Sequence, residues 1–271
     1  MLLLLVLACR SDLDYLPRAA ETRAVCGWEG GDDGAAFLDP YAPLTYPSED
    51  CVDQVLEDFS VDVGAFLEAD GLDDPYGYVR GDGSMDQARL SLVLGSARGL
   101  LRLDYGAVDA LDVDALTTRA YVRTLGEVAD EAGDDDLGAA LYDFATTVIQ
   151  GIEPLDEEGG RATFQGGSRR VVVRDGLSDG WAPGVVVVHE ARHWWGGHGD
   201  CPSGSGSCDP DATLAHGFGM SSLVRLYENL PEDADPDFRA YLLRRIHSQL
   251  RHIESYLDED GALAEEWEQW E

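Results

Sequence analysis

An α+β fold, predominantly helical, with one motif-bearing helix beside a small β-hairpin, is what the 271 residues predict. Three observations predict it. Apolar residues recur at helical spacing through most of the chain. One valine-rich stretch, 162 to 174, reads instead as two short strands around a glycine turn. Close behind it, the apolar run Val185 to Val188 leads into His189-Glu190-Ala191-Arg192-His193, where residue types and spacing together imply chemistry.

The elements follow in chain order. Residues 1 to 9 end the run Met-Leu-Leu-Leu-Leu-Val-Leu-Ala on Cys9. This run resembles a bacterial lipobox, and the resemblance implies a Cys9 lipidated as the first residue of the mature protein, anchored in the cell envelope. Residues 10 to 48 are rich in Gly, Pro and Asp with little periodicity, which suits a flexible tether. A helical subdomain is expected over 49 to 158. In it, Ser84 and Gln87 form a capping-box pair ahead of Leu90, Val93, Leu94, Ala97, Leu100 and Leu101, an apolar face at helical spacing. Further helices are expected near 114 to 131 and 135 to 150, the latter presenting Leu137, Leu141, Phe144, Ala145 and Val148. These stripes read as core.

A metal-site subdomain is expected over 159 to 271, packed with 49 to 158 as one unit. Its hairpin runs from Ala162 to Gln165, turns at Gly166-Gly167-Ser168 and returns from Arg169 to Arg174. Pro183 suits the first turn of the motif helix, with Ser178 or Asp179 as caps. A helix near 212 to 229 and a long one from Asp235-Pro236 to Leu257 close the chain, the second with Phe238, Leu242, Ile246, Leu250, Ile253 and Leu257 on one face.

On a helix, residues i and i+4 share a face, so His189 and His193 point at one spot and can share a divalent metal. Glu190 lies about 100° round the same helix, from where its carboxylate reaches a water on the metal without being a ligand. The bland alternative is a core helix with hydrogen-bonded histidines. The stretch from Val185 to His198 resembles the zincin metalloproteases. The resemblance implies Zn²⁺ as cofactor, His189 and His193 as ligands, Glu190 as general base, a peptide or protein as substrate, and a sheet before and beside the helix.

Catalytic zinc normally keeps three protein ligands. The metzincin pattern places its third histidine one residue beyond His198, where this chain has Gly199. Gly196-Gly197 should still end the helix and reverse the chain, because glycine accepts the positive φ such a turn demands. His198 is therefore the choice for third ligand, with Asp200, Asp209, Asp211, His216 and Glu228 as alternatives. His216, flanked by Gly217, fits the oxyanion-stabilising residue that zincins place near the metal. Met220, four residues on, fits a residue packed under the site as in the metzincin Met-turn.

Five cysteines leave four once Cys9 is set aside, and proximity pairs Cys26 with Cys51 and Cys201 with Cys208. The second pair would staple the Gly/Ser loop that follows His198. Cys201 and Cys208 as ligands of a structural zinc site are the competing reading. The net charge is −34 and there is no lysine, a surface that repels nucleic acid and anionic lipid. Two functions are weighed: an envelope or extracellular zinc peptidase, and a non-catalytic envelope lipoprotein using the same residues as a structural metal site or buried polar cluster.

Overall fold

Short polar caps and apolar stripes set the helices of this chain, and one wholly buried helix organises the rest. The computed structural model describes residues 15–29, 48–71, 89–107, 135–155, 162–174, 185–195, 198–200, 207–209 and 215–253. Among them are α1 (Arg18–Cys26), α2 (Glu49–Asp58), α3 (Val63–Asp70), α4 (Arg89–Arg102) and α5 (Leu137–Val148). Strands β1 (Gly151–Leu155), β2 (Ala162–Gln165) and β3 (Arg170–Arg174) come next. Then follow α6 (Val185–Arg192), a 3₁₀ turn (His193–Trp195), β4 (Gly199–Asp200), β5 (Ser207–Cys208), α7 (Ala215–Glu228) and α8 (Pro236–Leu250). The described residues are thus mostly helical, with a small mixed sheet, an α+β arrangement.

Asp136 caps α5, its carboxylate accepting from the Ala139 amide at 3.1 Å. All residues of α5 are buried, because its faces are covered by α1, α4 and α6. A helix buried on every side is a central one, and its buried Asp143 is hydrogen-bonded to the Ala19 amide of α1. The sheet has order β1-β3-β2, with β1 parallel and β2 antiparallel to β3. The hairpin is the expected one. Strand β1 was not expected, since a five-residue stretch containing Pro154 carries little strand signal; it lies at an edge, where a missing amide is tolerated. Buried Val171, Val172 and Val173 tie the central strand to the interior, and β2 abuts α6.

The segment read as a tether contains a packed helix. Helix α1 has little apolar patterning, but small Ala19, Thr22 and Cys26 fit against the core. The Ala19 amide donates to Asp143 Oδ1 at 2.7 Å. Buried Asp58 accepts from Thr22 Oγ1 at 2.5 Å and from the Tyr142 hydroxyl at 2.7 Å, knitting α1, α2 and α5 together. Cys26 and Cys51 are bonded to each other, as expected, with Cα atoms 4.7 Å apart. Cys208 is also in a disulfide; its expected partner, Cys201, lies outside the described residues.

Helix α8 ends at Leu250 rather than Leu257. There the chain leaves helical geometry to form a bridge between Ile253 and Asp209, and the His252 carbonyl accepts the Asp209 amide at 2.8 Å. The expected helix over 114 to 131, the Ser84/Gln87 pair, Pro183, Cys9 and Leu257 fall outside the described residues. No described helix is long and apolar enough to cross a membrane.

Candidate metal centre

Val187, Val188 and Ala191 seat α6 in the core, and α6 packs against α7. His189 near the end of α6 therefore meets His216 at the start of α7, ring centroids 4.7 Å apart. His198 arrives from the segment between the 3₁₀ turn and β4, its ring 5.2 Å from His189 and 4.3 Å from His216. One ligating nitrogen from each of His189, His198 and His216 lies within 4.8 Å of the other two. His193 adjoins this trio, 5.0 Å from His189 and 4.4 Å from His198 by ring centroid, but is not one of it. His252 stacks on the outer side of His216 at 4.6 Å and 17°. Five of the six histidines thus form one array.

Each member of the trio has one ring nitrogen tied to an oxygen. His198 Nδ1 lies 2.6 Å from Asp209 Oδ1, and His216 Nδ1 lies 3.0 Å from Gln249 Oε1. His189 is bonded to the Ala215 backbone carbonyl. Oxygens that only accept require the ring to donate there, which leaves the other nitrogen with its lone pair. In His216 that other atom, Nε2, is buried and has no hydrogen-bond partner.

The electrostatics favour uncharged rings at His189 and His216. Burial holds His189 well below the usual imidazole range, with His216, His193 and His198 adding to the effect and the Ala215 bond opposing it. Burial likewise pushes His216 down to about 4, against its bond to Gln249. Neutral imidazole is the form that ligates metal.

Zinc fits this donor set. A Zn–N bond of 2.0–2.1 Å in tetrahedral geometry spaces ligand nitrogens roughly 3.4 Å apart, a spacing the trio encloses. Ligating histidines also typically donate their other ring N–H to a carboxylate or carbonyl, as all three do here.

Of the residues expected from sequence, His189 and His198 belong to the trio and His193 stands beside it. Glu190 is buried, 6 % exposed, next to His189 on α6. His216, expected near the metal as an oxyanion donor, is the third member. Asp209, weighed as a ligand, instead bonds to His198. Glu228 pairs with Arg225 at 2.9 Å, about 18 Å along α7 from His216. Of Asp200 only the backbone is described, and Asp211 lies outside the described residues. Met220 is fully buried one turn beyond His216. Sequence reasoning passed over Gln249 and His252, because nothing near them in the chain marks them as neighbours of His216. No family model, curated protein or solved structure matches this chain.

Proposed function

We propose that this chain is a zinc-dependent peptidase whose ion is held by His189, His198 and His216. The observation that carries the reading is the convergence of three ring nitrogens from three separate segments, in rings that each have a hydrogen bond to an oxygen. The geometry favours exchanging the roles first expected of His193 and His216: His216 ligates and His193 stands next to the ligand set. Zinc bound there supplies Lewis-acid polarisation of a carbonyl and makes water a nucleophile near neutral pH.

The protein's own part is proton handling and desolvation. Glu190, one residue from a ligand and buried, accepts the proton as water oxygen bonds to the peptide carbonyl carbon. It then delivers that proton to the leaving nitrogen as the C–N bond breaks, so the carboxylate ends as it began. Its burial strengthens its interaction with charge developing nearby. In this reading a lipidated Cys9 holds the enzyme in the cell envelope.

The test measures bound zinc and cleavage of a mixed peptide library for wild type and Glu190→Gln. Zinc in both with cleavage by wild type only supports the reading; no zinc in the wild type, purified without chelator, defeats it.

A second reading, a non-catalytic structural site, draws on His193. Its ring lies close enough to His198 and His189 to supply a fourth ligand, and four protein ligands would close the site.

A further inference from the structure

Two of the three ligating histidines lie outside the motif helix, and one buried side chain touches both. Asp209 follows β5 directly and is 0 % exposed. Its Oδ1 meets the ring of His198 at 2.6 Å, while its Oδ2 accepts the backbone amide of His216 at 2.6 Å. Asp209 is itself held from two sides. Its amide donates to the His252 carbonyl, and the preceding residue, Cys208, is disulfide-bonded and ladder-paired with Gly199, the residue after His198.

We propose that Asp209 is the positioning residue of the metal centre: a single carboxylate that sets the ring tautomer of His198 and the placement of His216, holding two of three ligands in register. The proposal rests on the zinc reading above. An acceptor-only carboxylate at Nδ1 places the proton there and leaves the lone pair on Nε2, the nitrogen then free to ligate. It also raises the basicity of the ring as a ligand. Both carboxylate oxygens are already engaged by short hydrogen bonds to buried groups, so drawing Asp209 onto the ion would loosen its hold on His198 and on the His216 amide. Positioning is the role that keeps every partner satisfied.

Asp209→Asn tests this sharply, because the amide can satisfy both neighbours only one way. Its oxygen must accept the His216 amide, so its NH₂ faces His198 Nδ1 and drives the proton to Nε2, the atom needed by the metal. The experiment uses the full chain, metal-free, at about pH 8, above the ordinary imidazole range. Nitrogen-15 imidazole spectra report the His198 tautomer, and competition against a chromophoric chelator reports the Zn²⁺ Kd.

The expected result is Nδ1–H in wild type, Nε2–H in Asp209→Asn, and a zinc Kd weakened about 10- to 100-fold with the circular dichroism spectrum unchanged. Should that variant fail to fold, Asp209→Glu keeps the acceptor but displaces it, and is expected to retain Nδ1–H while weakening the Kd. An Nε2–H tautomer in wild type, or a wild-type Kd in the folded variant, overturns the proposal. Metal–oxygen scattering assigned to Asp209 by X-ray absorption also overturns it. Wild type that binds no zinc defeats the zinc reading alone, since the tautomer comparison in the same metal-free samples still decides what Asp209 does.

Discussion

The imidazoles of His189 and His216 meet edge to face, centroids 4.7 Å apart, across the packing of α6 on α7. Their contact joins the motif helix to a histidine on another helix, and it makes the ligand set testable residue by residue.

His189→Ala, His198→Ala and His216→Ala are each expected to abolish stoichiometric zinc binding, because a two-imidazole site loses most of the affinity of a three-imidazole one. His193→Ala is expected to retain the ion. Elemental analysis of the four purified variants checks this, and loss of zinc in His193→Ala with retention in His216→Ala would restore the ligand pair of the motif.

Glu190→Gln preserves size and hydrogen-bonding shape while removing the proton acceptor. Peptide cleavage is expected to fall about 10²–10⁴-fold with zinc content unchanged. Steady-state rates at matched zinc occupancy measure it. A loss of stability without loss of rate points to a structural site.

The Cys26–Cys51 bond closes a loop with a sequence separation of 25 and joins α1 to α2. Replacing both cysteines by Ser is expected to destabilise the fold by about 3 kcal/mol through the added freedom of the unfolded chain. Urea denaturation gives the number. Zinc affinity is expected to be unchanged, because neither helix supplies a ligand.

Metal-free stability is expected to depend on pH through the buried imidazoles. A histidine whose folded pKa lies below its ordinary value binds a proton more readily unfolded, so stability rises with pH between the two values and is level above the upper one. For His216 that window runs from about 4 to 6.5. Each such ring contributes a slope of up to about 1.4 kcal/mol per pH unit. Urea midpoints between about pH 5 and 6.5, where carboxylates stay largely ionised, should fall with acidification in wild type and fall less in His216→Gln.

Helices α4, α5, α7 and α8 were legible from the chain, as was the hairpin of β2 and β3. Helix α1 was not. It is held by Asp58, Asp143 and a disulfide, partners that lie far along the chain and leave no local pattern. Strand β1 escaped for the same reason, since its pairing with β3 defines it more than its composition does. In the site, the motif pointed to His189 and Glu190, and the glycines after it to His198. The places of His216, Gln249 and Asp209 depend on how α7, α8 and β5 dock.

Spacing along one helix is local geometry, fixed by 3.6 residues per turn, and so the sequence by itself determined that His189 and Glu190 sit on adjoining faces of α6, with His193 in the turn that directly follows it. Which nitrogens converge is a question of distance between segments remote in the chain. Only the packing of α6 on α7 and the clamp of Asp209 between His198 and the His216 amide decided it, because burial and paired hydrogen bonds, not periodicity, hold those atoms in place.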